Sequence, residues 1–189
     1  KISCQLCYVF CGGGSLYLPE EWYLPRNQWQ PTPRTERRMF LKLPVKYVLI
    51  GHTASPSCNT LRSCKERLRY LHELERQRGS PDTRYNFLVG GQGFAFEGTG
   101  ANVVSDKLGG WERRSISVAF IGDYNKRNRL QPEQLRRLGE LLEALVRRGV
   151  LTPDYVLFAQ CQKSATTYLR CGKLHRRPKS ITGYYVWRL

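Results

Sequence analysis

The sequence predicts an α/β domain, and three observations carry that prediction. Short apolar runs with β-branched residues, Tyr47–Ile50, Ser115–Ile121 and Tyr155–Ala159, have strand length. Two longer stretches place leucines at three- and four-residue spacing with charged residues between them, the pattern of amphipathic helices. The two kinds of element alternate along the chain, an order that builds one central mixed β-sheet flanked by about three helices. With 189 residues, 41% of them apolar and 12% aromatic, the chain can bury one core but hardly two, so a single domain is expected.

Taken in order, residues 1–44 contain Gly12-Gly13-Gly14 and prolines at 19, 25, 31, 33 and 44, which make turns and remove backbone donors. Residues 1–28 therefore read as an irregular arm or membrane-proximal segment, and 29–189 as the domain. Tyr47–Ile50, ending at Gly51, is too short for a helix and reads as a buried strand. Leu61, Cys64, Leu68, Leu71 and Leu74 form the apolar stripe of a helix over 61–78, stopped near Gly79 and Pro81. Tyr85–Val89 and Phe94–Glu97 read as a β-hairpin around Gly90-Gly91-Gln92-Gly93, whose glycines supply the positive φ of its turn. After Ser115–Ile121 and a polar loop, Pro132 opens a second helix with Leu135, Leu138, Leu142 and Leu145 on one side and Gly149 at its end. Tyr155–Ala159 is the last strand, and Pro178 and Gly183 keep any terminal helix short or broken.

Thirty-one Lys and Arg against fifteen Asp and Glu leave a net charge of +16, a field that favours polyanionic partners or acidic surfaces. A basic surface that merely keeps the chain soluble is the alternative. Residues 161–189 hold seven Lys or Arg and no acidic residue, with Tyr168, Tyr184, Tyr185 and Trp187 interleaved; this looks like a nucleic-acid patch but serves equally as a basic closing segment. Seven cysteines point to an oxidising compartment with disulfides, and the odd count leaves one unpaired or paired outside the chain. Cys4, Cys7 and Cys11 could be half a metal knuckle, yet no histidine lies near, which favours disulfides, lipidation or a membrane-proximal stub. No apolar run approaches the roughly 18 residues of a spanning helix, and an upstream signal or anchor stays open.

From about Trp29 to Trp187 the chain resembles the peptidoglycan recognition proteins, relatives of the phage-type zinc N-acetylmuramoyl-L-alanine amidases. The motifs that carry the resemblance are Trp29 with Pro31 and Pro33, the run Tyr47–Ala54, Ser57-Cys58-Asn59-Thr60 with Cys64, Tyr85–Gly90, Phe96–Gly100 and Ser115–Tyr124. The resemblance implies a mixed sheet with a muramyl-peptide groove on one face, and a disulfide between Cys58 and Cys64.

Active members of that family hold zinc with two imidazoles and a thiolate, leaving one position open for the water that becomes hydroxide. The first imidazole precedes the His-Thr pair, and Gly51 stands there; the second falls on Gln160; the thiolate falls on Tyr168 or Arg170, with Cys171 displaced. Three histidines are present, His52, His72 and His175, and the resemblance implies a groove contact for His52 alone. Tyr85 matches a tyrosine that assists catalysis in active members, but without the metal it becomes a groove-lining residue. The family's Gly-Arg-Gly-Trp-Asn stretch reads Gly98-Thr99-Gly100-Ala101-Asn102-Val103 here, followed by Ser105-Asp106-Lys107, so an arginine, a tryptophan and a histidine are replaced. Each such loss costs about 1–3 kcal/mol, and two or three together weaken binding on the order of a thousandfold.

The expectation is a non-catalytic recognition protein with no metal and no cofactor, similar to the inactive insect LA and LF types. Its groove candidates are His52, Thr53, Tyr85, Thr99, Asn102, Val103 and Lys107. Expected partners are other peptidoglycan recognition proteins or an immune receptor, then weakly bound peptidoglycan or an anionic polymer, with nucleic acid least favoured. The expected location is extracellular, secreted or as the ectodomain of a single-pass membrane protein.

Overall fold

The structure, a computed structural model, describes residues 16, 18–30, 38–80, 82–105, 111–124, 129–159, 179–181 and 184–186. A six-stranded sheet is formed by β1 (Tyr23–Leu24), β2 (Val45–His52), β3 (Phe87–Val89), β4 (Ala95–Glu97), β5 (Ser115–Phe120) and β6 (Leu151–Ala159), in the spatial order β1-β4-β3-β5-β2-β6. Only the β3–β4 hairpin is antiparallel; β1–β4, β3–β5, β5–β2 and β2–β6 are parallel, so the sheet is mixed, as predicted. Helix α1 (Leu61–Gln77) follows β2 and helix α2 (Pro132–Arg147) follows β5. Near the end of the chain, β7 (Lys179–Ile181) and β8 (Tyr184–Val186) pair as a separate antiparallel ribbon.

Strand alternation assigns the two faces. Val48 and Ile50 pair with Ile116 and Val118 and join Phe87, Val89 and Phe120 in one core, which Leu138, Leu141, Leu142 and Leu145 of α2 cover. The opposite face carries Leu88, Phe96, Ala119 and Ile121, packed on Cys64 and Leu68 of α1 and on Trp29. The helices thus sandwich the sheet. Each begins with a capping box: Thr60 Oγ1 accepts from the Ser63 N–H at 3.1 Å in α1, and Gln134 Oε1 accepts from the Gln131 N–H at 3.0 Å in α2, where Pro132 occupies the first turn.

The described residues hold two α-helices. Leu16, Leu18, Tyr23 and Leu24 are buried, and β1 adds to the sheet alongside β4. Two details differ from the sequence reading. Leu135 is 41% exposed, because Gln134 takes the inward position in the first turn of α2, while the unpredicted Leu141 is fully buried. In the hairpin turn only Gly93 has positive φ, at 76°. Gly90 and Gly91 are required by close approach: a β-carbon at Gly90 would lie 2.7 Å from Cys64 Sγ, and one at Gly91 2.6 Å from the Cys58 carbonyl oxygen.

Candidate functional site

Gly51 lies at the head of β2, in register with Ala119, and therefore opens onto the α1 face. Tyr85 packs at the edge of the same layer, half-exposed, and its hydroxyl donates to the His52 carbonyl oxygen at 3.1 Å. The His52 ring points the other way. It pairs in register with Phe120, its side chain is 3% exposed, and its ring meets Tyr124 edge-on at 6.2 Å. His52 Nδ1 lies 3.2 Å from the Gly122 carbonyl oxygen and 3.3 Å from the Tyr124 N–H, so either tautomer has a partner. The ring expected as a groove contact is thus buried on the face opposite Gly51, where strand alternation places it.

The loop after β2 is held tightly. Thr53 Oγ1 accepts from the Gly122 N–H at 3.0 Å and lies 2.8 Å from Ser55 Oγ. Ala54 has φ 49°, a left-handed conformation that costs a side-chain-bearing residue about 1–2 kcal/mol. Thr53 itself is half-exposed, so its side chain reaches the surface while its hydroxyl is engaged.

The segment after β4 is anchored by Asn86, a fully buried residue not singled out from sequence as part of the site. Its Nδ2 donates to the carbonyls of Gly100 (2.7 Å) and Val103 (2.8 Å), while its Oδ1 accepts from the N–H (2.8 Å) and hydroxyl (2.9 Å) of Ser117 on β5. Thr99 is buried, with its N–H (2.9 Å) and hydroxyl (3.3 Å) both donating to the Tyr85 carbonyl oxygen. Val103 is buried as well. Asn102 is half-buried, and its Oδ1 makes no hydrogen bond among the described residues. Of the seven groove candidates, Thr53, Tyr85 and Asn102 keep some exposure, His52, Thr99 and Val103 are buried, and Lys107 lies outside the described residues.

Beneath α1 a polar cluster joins residues far apart in sequence. Arg26 Nη1 pairs with Asp82 Oδ1 at 2.6 Å and donates to the Gly98 carbonyl at 3.0 Å. Arg38 Nη2 reaches Asp82 Oδ2 at 3.0 Å, and the Arg26 guanidinium stacks 4.5 Å from the Trp29 ring centre. His72 is buried here, with Nδ1 3.4 Å from Arg26 Nη2 and 3.6 Å from Asp82 Oδ1. Burial, reinforced by the Arg26 charge, pushes the His72 pKa below the usual imidazole value. A second cluster missed from sequence lies at the far end of β2: Tyr47, Trp111 and Phe158, with ring centres 4.9 to 5.6 Å apart.

Cys58 and Cys64 are joined in a disulfide at the entrance to α1. Among the described residues, no three His, Cys, Asp or Glu side chains gather closely enough to hold a metal ion. At the head of β2, Gly51 carries no side chain, and the His52 ring is turned to the other face of the sheet. The other ligand positions, Gln160, Tyr168, Arg170 and Cys171, lie outside the described residues, as do Cys4, Cys7, Cys11, Cys161 and His175. A shallow depression lined by Asn59, Gly91, Gln92, Gln131 and Glu133 includes none of the candidates. No helix among the described residues is long and apolar enough to cross a membrane.

Residues 41–176 match the N-acetylmuramoyl-L-alanine amidase domain family. The chain is 32% identical over 172 residues to a peptidoglycan-recognition protein of Drosophila melanogaster, covering 90% of each chain. It is 37% identical over 134 residues to peptidoglycan recognition protein 1 of Mus musculus, covering 70% of this chain and 72% of the relative. Among solved structures it resembles peptidoglycan recognition protein LE in complex with tracheal cytotoxin, a monomeric diaminopimelic acid-type peptidoglycan, with TM-score 0.74, 32% identity, and coverage of 78% and 86%. It also resembles the tracheal cytotoxin-bound ectodomain complex of proteins LCa and LCx, with TM-score 0.72, 33% identity, and coverage of 76% and 87%. With motif order, sheet topology, disulfide and relatives in agreement, the chain belongs to the peptidoglycan recognition protein family, built on the amidase domain.

Proposed function

We propose that this chain is a non-catalytic recognition protein of innate immunity that acts through binding or through competition with partners. The observation that carries the reading is Gly51 at the head of β2, the position that the family resemblance assigns to the first zinc-holding imidazole of an amidase. Gln160 at the second position and Tyr168 or Arg170 at the third support it in sequence, because an amide, a phenol or a guanidinium is a poor zinc ligand beside imidazole and thiolate. The expected partners are another peptidoglycan recognition protein or an immune receptor, a reading supported by the LCa–LCx ectodomain complex among its structural relatives. An extracellular setting, secreted or as an ectodomain, accords with the Cys58–Cys64 disulfide.

Two measurements test it together: zinc content of the purified protein, and release of stem peptide from muramyl glycan with zinc supplied. Stoichiometric zinc with zinc-dependent release would overturn the reading; neither is expected. A second reading, weakened binding of peptidoglycan or an anionic wall polymer, is favoured by Tyr85, which stays half-exposed at the edge of the α1 face with its hydroxyl fixed on the His52 carbonyl. Thr53 and Asn102 are its remaining contacts, together with Lys107. Calorimetry with muramyl pentapeptide of both diamino-acid types separates the two: heat that disappears in Tyr85→Ala supports weak binding, and no heat with either peptide removes it.

A further inference from the structure

Four large apolar side chains are exposed among the described residues, and two of them are neighbours: Met39 at 55% and Phe40 at 63%. Their backbone is fixed in place. The Leu41 N–H donates to the Asn102 carbonyl at 2.7 Å, the Val104 N–H donates to the Met39 carbonyl at 2.9 Å, and Phe40 bridges Val103. Holding two large apolar groups out in water on an ordered segment carries a cost that burial elsewhere would remove. One cation, Arg113, touches Met39, and two more stand close in sequence to Arg113 or to Phe40. Arg113 Nη2 lies 3.4 Å from Met39 Sδ, Arg114 stacks 5.0 Å from the Trp111 ring centre in the same 3-10 turn, and Lys42 is exposed two positions beyond Phe40. None of the ion pairs among the described residues engages Lys42, Arg113 or Arg114. Glu112, the acidic residue of that turn, is half-buried.

We propose that this ridge docks the domain onto an anionic lipid bilayer. Phe40 and Met39 enter the boundary between headgroups and acyl chains, while Lys42, Arg113 and Arg114 meet lipid phosphates. The combination decides the occupant: a nucleic acid would use the cations but gain nothing from Met39, and an apolar protein partner would leave the cations unpaired. The net charge of +16 draws the whole chain toward such a surface. This surface is independent of peptidoglycan recognition, since glycan-free vesicles suffice to reveal it.

The test is co-sedimentation of the full chain with neutral phosphatidylcholine vesicles and with vesicles containing about a third phosphatidylglycerol. Binding to the anionic vesicles alone is expected. Met39→Ser with Phe40→Ser should weaken it by about tenfold or more, from the apolar area no longer inserted. Arg113→Gln with Arg114→Gln should weaken it by about 25-fold, at roughly fivefold per basic side chain near an anionic surface. Leu135→Ser, a part-exposed leucine on α2 remote in sequence from the ridge, should leave binding unchanged. Equal binding to both vesicle types, no binding to anionic vesicles, or indifference to the Met39/Phe40 pair would overturn the proposal.

Discussion

Gly98 gives the sharpest test of how the site is held together. It follows β4, its N–H donates to the Asn86 carbonyl at 2.8 Å, and its carbonyl accepts from Arg26. A β-carbon at this position would lie 2.1 Å from the Tyr85 carbonyl oxygen, 3.0 Å from Thr83 Oγ1 and 3.1 Å from Leu88 Cδ1. Carbon and carbonyl oxygen normally stay about 3.3 Å or more apart, so Gly98→Ala creates an overlap of about 1 Å. The struck atom belongs to the backbone and is fixed by the Thr99 N–H at 2.9 Å, so no rotamer change relieves it. Overpacking costs about 1–3 kcal/mol, and loss of the Thr99–Tyr85 hydrogen bond adds about 1 kcal/mol. At about 2–4 °C per kcal/mol for a domain of this size, the melting midpoint should fall by about 4–16 °C. Calorimetric melting at neutral pH measures it, with Gly139→Ala as the opposite control. Gly139 lies inside α2 with nothing within 4 Å of its would-be β-carbon, so alanine there should raise stability by about 0.5–1 kcal/mol. A Gly98→Ala protein that melts within about 1 °C of the parent would refute the claim that this close approach fixes Tyr85.

Three further outcomes follow from the buried clusters. Asp82→Asn leaves Arg26 buried beside a neutral amide and also loosens Arg38; it should cost about 3–5 kcal/mol by denaturant titration, whereas exposed Lys46→Gln, which loses its Asp154 pair, should leave the denaturant midpoint nearly where it was. His72 has a folded pKa below its unfolded value, so the unfolded chain takes up the proton first as pH falls below about 6.5, and stability drops there and levels off once the folded histidine also protonates. The charged groups acting on it are Arg26 and Asp82, then Arg76 and Glu73, and His72→Gln should flatten the fall in melting midpoint between about pH 6.5 and 5, while an unchanged slope would place the effect elsewhere. Cys58→Ala with Cys64→Ala opens a six-position loop and should cost about 2 kcal/mol, read from the shift in the urea midpoint at constant slope.

Local chemistry made part of this legible from sequence. The Leu61–Gln77 helix shows itself because its apolar stripe repeats with the helical period and Gly79 follows it, and β5 because the run Ser115–Ile121 is largely apolar and of strand length. Strand β2 runs beyond its apolar stretch: Val45 pairs with Leu151 across a shift of register, and exposed Lys46 meets Asp154 through its side chain. Strand β1 has two residues beside Pro25 and carries no period; only the partner strand β4 makes it a strand. Gly90 and Gly91 looked like conformational glycines because a turn was the nearest explanation, while the disulfide they accommodate is formed by residues more than twenty positions away.

By itself the sequence determined that this is an α/β chain with the motif order of its family, and that Gly51 can offer no imidazole to a metal, because side-chain identity and short-range periodicity are local properties. Tertiary structure alone decided which face each group serves. A strand alternates its side chains, so the neighbours Gly51 and His52 open onto opposite sides of the sheet, and only the parallel pairing with Ala119 and Phe120 fixes which is which. It also drew Arg26, Arg38, His72 and Asp82 into one buried cluster, a meeting that no linear spacing could announce, because the attraction acts through space after the chain has folded.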